Sequence, residues 1–411
     1  MLKKFLRILG PGLVTGASDD DPSGIATYSQ AGAGFGLSTL WTALITFPLM
    51  ASIQGMCARI GIVTQSGLTG TLKNHYPKSI LYSMLALSFP AIVLNIGADI
   101  EGMGAVSNLL FPFIPGYVFS IVFTALLMYA IIKWPYHKIA RVLKWLCLAV
   151  LVYIIVAFLA KPDWGQVLKN TFVPSIHFNK DYLSILVAIL GTTISPYLFF
   201  WQATMEVEDA DHTAQRVMVD KRVLSDMRKD VNIGMFASNL VMFFIILTTG
   251  VVLYNAGIHQ IDTVEQAAKA LEPLAGKGAY LLFALGVLGT GFLAIPVLGG
   301  SLSYIMAETF GWQEGLDKKF AEAKPFYITI IVSLLVGLLL NFTGIRPMKA
   351  LLYTAILYGL TAPVMIAVIL HICNNKKVMA EYTNNRLQNT LGVLTLVLMT
   401  AAAVALIWNE V

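Results

Sequence analysis

Charge is scarce in this chain. Only 12% of its 411 residues are Asp, Glu, Lys or Arg, while 57% are hydrophobic. Soluble domains carry roughly 25% charged residues, so a chain built around one soluble core is excluded and a polytopic membrane protein is implied. Cysteine is also rare. Cys57, Cys147 and Cys373 stand far apart in the sequence, which argues against a disulfide framework or a thiolate metal centre. The six histidines, His75, His137, His177, His212, His259 and His371, show no ligand spacing. A net charge of +5 would suit a nucleic-acid partner, but the basic residues lie in short loops between apolar segments and form no patch.

Apolar sequence is abundant. Eleven segments are expected to cross the bilayer, at about 8–34, 40–60, 79–107, 116–133, 143–160, 181–203, 232–254, 278–308, 325–342, 349–372 and 389–408. The third and eighth are long enough to tilt or bend. Short linkers leave one polytopic domain over 1–411. The start, with Lys3, Lys4 and Arg7, reads as the cytoplasmic entry to the first helix; Gly10-Pro11-Gly12 breaks any signal-peptide core. With the N-terminus inside, most of the 28 basic residues fall inside, and only Lys161, Lys169, Lys180, Lys269, Lys277, Arg346 and Lys349 fall outside. That asymmetry fits the positive-inside rule and puts the C-terminus outside a plasma or inner membrane.

Two of these segments are interrupted. In the first, Asp19, Asp20 and Asp21 are followed by Pro22-Ser23-Gly24. Proline removes a donor and clashes with the preceding turn, so the helix is expected to stop near Asp20 and restart near Ile25. The sixth repeats the pattern with Gly191-Thr192-Thr193-Ile194-Ser195-Pro196-Tyr197. Broken backbone at membrane depth survives only where it lines a cavity or site. Two such breaks, in helices entering from opposite sides, point to inverted five-helix repeats over 8–160 and 181–372, with 389–408 as an extra helix.

The breaks contain no Lys, Arg, His, Cys or Met. They offer carboxylate, hydroxyl and freed carbonyl oxygens, which suit a hard divalent cation such as Mg²⁺, Mn²⁺ or Ca²⁺. Successive helical residues point about 100° apart, so the three aspartates cannot share one ion. Asp21 is the expected ligand; Asp19 and Asp20 are expected to line an ion or proton path. Asp99 and Glu101 of the third segment join that path, since ionisable residues inside a span are functional by default. Glu206, Glu208, Asp209 and Asp211 read as a solvated edge.

The sequence resembles the natural resistance-associated macrophage protein (NRAMP) family of divalent metal transporters. The resemblance rests on Gly10-Pro11-Gly12, on Asp21-Pro22-Ser23-Gly24-Ile25-Ala26-Thr27, on Gln30-Ala31-Gly32-Ala33 and on Ala58-Arg59-Ile60-Gly61-Ile62-Val63-Thr64. It implies an all-α membrane protein with a LeuT-type fold, eleven transmembrane helices and a metal held between broken helices one and six. It also implies Asp21 and the Thr192 carbonyl as metal ligands. Two ligand positions depart from the family's Asp-Pro-Gly-Asn and Met-Pro-His motifs. Its asparagine falls on Gly24 and its methionine on Ser195, while Tyr197 and Gln202 stand at its histidines. A harder, roomier site is expected, suited to Mn²⁺ or Mg²⁺, with weak proton coupling.

The reading is therefore a divalent metal transporter or facilitator, not an enzyme. Its partners are metal ions and the lipid bilayer, with no nucleic acid and no cofactor; a monomer is compatible with it. A Na⁺-coupled transporter of amino acids or other small solutes on the same architecture is the alternative. An intramembrane aspartyl protease using Asp21 and Asp99 would leave the paired proline breaks unexplained.

Overall fold

The structure is a computed structural model that describes residues 10–134, 152–212 and 219–410. Most of the expected fifth segment, with Lys138, Arg141, Lys144 and Cys147, lies outside the described residues, as do Lys3, Lys4, Arg7, His137 and Arg216.

The described chain is helical. In order the helices are α1 (Pro11–Asp19), α2 (Pro22–Phe35), α3 (Trp41–Thr64), α4 (Leu68–His75), α5 (Lys78–Leu110), α6 (Gly116–Lys133), α7 (Val152–Leu159), α8 (Trp164–Phe172) and α9 (Lys180–Thr193). They continue with α10 (Pro196–His212), α11 (Lys221–Val252), α12 (Val264–Ala268), α13 (Glu272–Ala275), α14 (Ala279–Phe310), α15 (Lys324–Leu338), α16 (Pro347–Asn374), α17 (Lys376–Met379) and α18 (Arg386–Glu410). Nine stretches among the described residues are helical, long and apolar enough to cross a bilayer, from Trp41–Thr64 to Arg386–Trp408. One of them is the second broken pair, α9 and α10. The first broken pair, α1 and α2, is additional.

Both breaks occur where proline predicts them, but they are shorter than expected. α1 ends at Asp19 and α2 begins at Pro22, not at Ile25. Proline at the first position of a helix loses nothing, because that N–H has no intrahelical acceptor. Pro22 therefore starts the second half-helix, with Ser23 and Gly24 in its first turn. Asp21 adopts an extended conformation (φ −66°, ψ 171°) and caps α2 by accepting from the Gly24 N–H. The second break is built alike: α9 ends at Thr193 and Pro196 opens α10.

Each half-helix pair is braced by a long helix from elsewhere in the chain. α11 lies along both α1 and α2, while α16 lies along α9 and α3 along α10. The α1–α11 crossing is a backbone contact. A methyl group added to Gly12 would sit 2.6 Å from the Val231 nitrogen, and one on Gly16 or Gly234 would meet the opposing backbone. Small residues permit this approach, as is common between membrane helices. The outward faces of α6 and α18, with Ile121, Val122, Leu126, Val393, Val397 and Val404, are exposed and apolar, as a lipid-facing surface requires.

Five short linker helices, α4, α8, α12, α13 and α17, were not anticipated. α4 and α8 lie in linkers and are too short and polar for a span signal. α8 is capped by Asp163, which accepts from the N–H groups of Gly165 and Gln166.

Gly234→Val tests the crossing. The obstructing atoms are backbone, so the cost should be at least that of ordinary core overpacking, about 1–3 kcal/mol. A clear fall in the melting temperature of the detergent-solubilised protein is expected; an unchanged one would show that α1 and α11 are not packed this closely.

Candidate metal site

The site is assembled where the two breaks meet α5 and α11. Asp21 is buried at the gap between α1 and α2. Its Oδ1 accepts from the Gly24 N–H at 2.7 Å and from the Ser23 hydroxyl at 2.9 Å. Its Oδ2 accepts from Asn95 Nδ2 on α5 at 2.9 Å. Asp19 and Asp20 turn the other way. The Ser238 hydroxyl of α11 lies 2.7 Å from Asp19 Oδ2 and 3.2 Å from Asp20 Oδ1. The three aspartates thus diverge, as helical spacing predicts, but they split two against one.

From the second break, a side chain at position 24 would point at Thr192. An added Cβ on Gly24 would lie 3.3 Å from Thr192 Oγ1, 3.4 Å from Asp21 Oδ1 and 3.2 Å from the Asp19 carbonyl oxygen. Gly24, Asp21, Thr192 and the end of α1 therefore border one small space. Ser195 uses its hydroxyl at home: Oγ lies 2.6 Å from the Thr192 carbonyl oxygen and 3.2 Å from that of Gly191. The freed carbonyl is thus capped by the serine beside it. Tyr197 joins the two breaks by donating to the Ser18 carbonyl at 2.9 Å.

The remaining expected residues separate. Asp99 is fully buried, without a basic partner among the described residues, and lies close to Asp21 and to the Ser23 backbone. It stands one helical turn from Asn95, so both present to the site from one face of α5. Glu101, two residues on, points away from that face, also buried. Gln202 is buried well below the break, accepting from Thr15 at 2.5 Å and donating to Glu206 at 2.8 Å.

Glu206 and Glu208 are not a solvated edge. Glu206 is 8% exposed and bonded to Gln202, and Glu208 accepts from the Tyr304 hydroxyl at 2.5 Å. Helix α10 continues past the apolar run; Glu206 is buried and Glu208 half-buried, while Asp209 is exposed, as expected of an edge. Beside it, in the loop after α14, burial and then the Glu308 and Glu208 carboxylates push the Glu314 carboxyl up to about 8.

The electrostatics are one-sided. Among the described residues, no Lys or Arg pairs with Asp19, Asp20, Asp21 or Asp99. Buried carboxylates without a countercharge are strongly disfavoured. Such a site demands a cation or protons. Hard oxygen is the donor type on offer, and it matches a divalent ion of the Mg²⁺, Mn²⁺ or Ca²⁺ kind. Asn95, Ser238 and Tyr28, buried beside Thr192, were missed from sequence. Neutral polar residues inside an apolar run carry no charge signal; for Asn95 the only cue was its spacing of four from Asp99.

The two half-helix pairs, braced by long helices inside a membrane bundle, define an all-helical membrane protein of the LeuT-type fold. A family model described as natural resistance-associated macrophage protein-like matches residues 12–409, and the chain belongs to that family. Over 399 residues it is 27% identical to the divalent metal cation transporter MntH of Caldanaerobacter subterraneus subsp. tengcongensis, covering 96% of this chain and 90% of that protein. It is 24% identical to the MntH of Staphylococcus saprophyticus, covering 98% and 92%. Among solved structures it matches the Eremococcus coleocola manganese transporter with a TM-score of 0.76 at 19% identity, over 98% of this chain and 87% of that one. MhsT in complex with L-phenylalanine matches with a TM-score of 0.64 at 12% identity, over 97% of each chain. At these identities the structural likenesses show the fold alone.

Proposed function

We propose that this protein moves divalent metal ions, Mn²⁺ and Mg²⁺ among them, across the cell membrane by alternating access. The observation that carries the reading is the group of four buried carboxylates at the breaks with no basic partner among the described residues. The MntH relatives are named as divalent metal cation transporters, which supports the same reading. Asp21 supplies the charge. Thr192 supplies a carbonyl when Ser195 releases it, and Ser195 itself offers lone pairs to a metal-bound water. Asp19, Asp20 and Asp99 line the way to and from the site, while Glu101 lies on another face of α5 and takes no part in it. The halves 8–160 and 181–372 act as inverted repeats, with the N-terminus cytoplasmic and the C-terminus outside.

Asp21→Asn keeps the side chain's volume and removes its charge. Uptake of Mn²⁺ into proteoliposomes should fall by at least about tenfold, as expected when an oxygen site loses its charge against a dehydrating ion. Unchanged uptake by the folded variant would move the site elsewhere.

Coupling to protons should be weak. Tyr197 and Gln202 stand where the family has histidine, and Gln202 is engaged with Thr15 and Glu206 through groups that do not titrate near neutral pH on the Gln and Thr side. A pH-sensitive dye inside the vesicles checks this. Metal-driven acidification above the leak would show instead that the buried carboxylates carry protons.

Selectivity should be hard. No thioether faces the break at position 195 and no side chain fills position 24, so an ion can keep several waters, which suits the reluctantly dehydrating Mg²⁺. Millimolar Mg²⁺ should compete with Mn²⁺ uptake. The double variant Ser195→Met with Gly24→Asn should shift preference toward Mn²⁺, Fe²⁺ or Cd²⁺. Excess Mg²⁺ that leaves Mn²⁺ uptake untouched in both proteins would defeat the hard-site reading.

A further inference from the structure

Asn95 sits in the middle of α5 with none of its surface exposed. Its amide is held at one end only. Nδ2 donates to Asp21 Oδ2 at 2.9 Å, while Oδ1 is buried without any hydrogen-bond partner. The orientation is fixed by chemistry. Turning the amide over would bring its oxygen against a carboxylate oxygen, so the nitrogen must face Asp21. The oxygen is then left in a dry site, where an orphaned acceptor is costly and calls for an explanation. Asp99 lies one turn further along the same face, close to Asp21. Across the break, Gly24 carries no side chain that could satisfy the amide.

We infer that Asn95 is a ligand of the transported cation, presenting Oδ1 to the ion held by Asp21. This deepens the transport reading above and rests on it. An amide oxygen is a hard, neutral donor of the kind that Mg²⁺, Mn²⁺ and Ca²⁺ accept. Beside Asp21 it adds a donor without adding charge, and it comes from a helix that is not broken. The ion is thereby tied to α5 as well as to the two breaks. The competing role is a buttress, in which Asn95 merely holds the Asp21 carboxylate through Nδ2.

Two variants separate the roles in full-length protein reconstituted into proteoliposomes. Asn95→Ala removes oxygen and nitrogen together. Asn95→Asp keeps an oxygen at the site and removes the donor to Asp21. If Oδ1 binds the ion, Asn95→Ala should raise the KM for Mn²⁺ by at least about tenfold, the lower end of what losing even an outer-shell partner costs, so the aspartate variant separates the two roles. Asn95→Asp should hold KM within a few-fold of wild type and strengthen competition by Mg²⁺ and Ca²⁺, because a dication accepts the second carboxylate. An unchanged KM in Asn95→Ala would overturn the assignment. So would an Asn95→Asp protein that is folded, as judged by a single monodisperse peak, yet as impaired as the alanine variant; that result would identify the buttress. Both outcomes leave the transport reading intact, because Asp21→Asn tests that separately. A wild-type protein that moves no divalent ion would overturn the reading and the assignment with it.

Discussion

Everything in this molecule is arranged around a carboxylate that caps a helix inside a membrane. Asp21 lies in the gap after α1, caps the start of α2 and has no basic partner among the described residues. Its charge is spread over three donors, from Gly24, Ser23 and Asn95. Hydrogen bonds to an ionised group contribute about 1.5–3 kcal/mol each, and the positive end of the α2 dipole adds to them. These terms offset part of the cost of burying the charge. They leave the site short of the one thing a cation supplies. The long helices α5 and α11 are needed because they bring Asn95 and Ser238 to carboxylates the breaks cannot satisfy alone.

What was legible in the sequence was what breaks a pattern. Three aspartates and a proline inside an apolar run announce the first break, and Ser195-Pro196 the second, because both violate the rule that a span is a continuous apolar helix. The boundaries were read too generously. Pro22 and Pro196 open helices rather than lengthen gaps, and only the cap geometry shows it. The divergence of Asp19 and Asp20 from Asp21 followed from helical spacing. Their shared partner, Ser238, did not, since it lies more than 200 residues away on a helix with no local marker. Asn95 was passed over for a different reason: it is neutral, and its one cue was the spacing of four from Asp99. Glu206 and Glu208 were misread because charge near a helix end usually faces water; here Gln202 and Tyr304 receive it.

Ser195 joins two readings of one atom. As a hydroxyl beside a proline it caps the Thr192 carbonyl at 2.6 Å, the usual use of serine next to freed backbone. A methionine there could not make that bond, so its carbonyl would stand ready for a metal. The serine therefore changes the donor set twice: it withdraws a thioether, and it engages a carbonyl that an ion must win back. On the proposed reading, both changes would reduce direct contact between protein and ion and favour a cation that keeps its water.

The two ends of the first broken helix are held by bonds of different kinds. At the start of α1, Asp230 of α11 accepts from the Gly10 N–H at 2.8 Å and the Gly12 N–H at 2.6 Å. These are charge-assisted bonds at a helix N-terminus, about 1.5–3 kcal/mol each. Thr15, Gln202 and Glu206 add a second tie to α10. On α2, Gln30 holds the loop after α11 by donating to the His259 carbonyl at 3.1 Å and accepting from the Ile261 N–H at 2.8 Å. Those are neutral bonds, nearer 0.5–1.5 kcal/mol each. A cavity of about 460 Å³ already borders Gln30 and Ala26, reaching Asp181 and Lys349. The site residues between the two ends are all buried. Of these two sets of side-chain ties, the neutral one at Gln30 is the weaker.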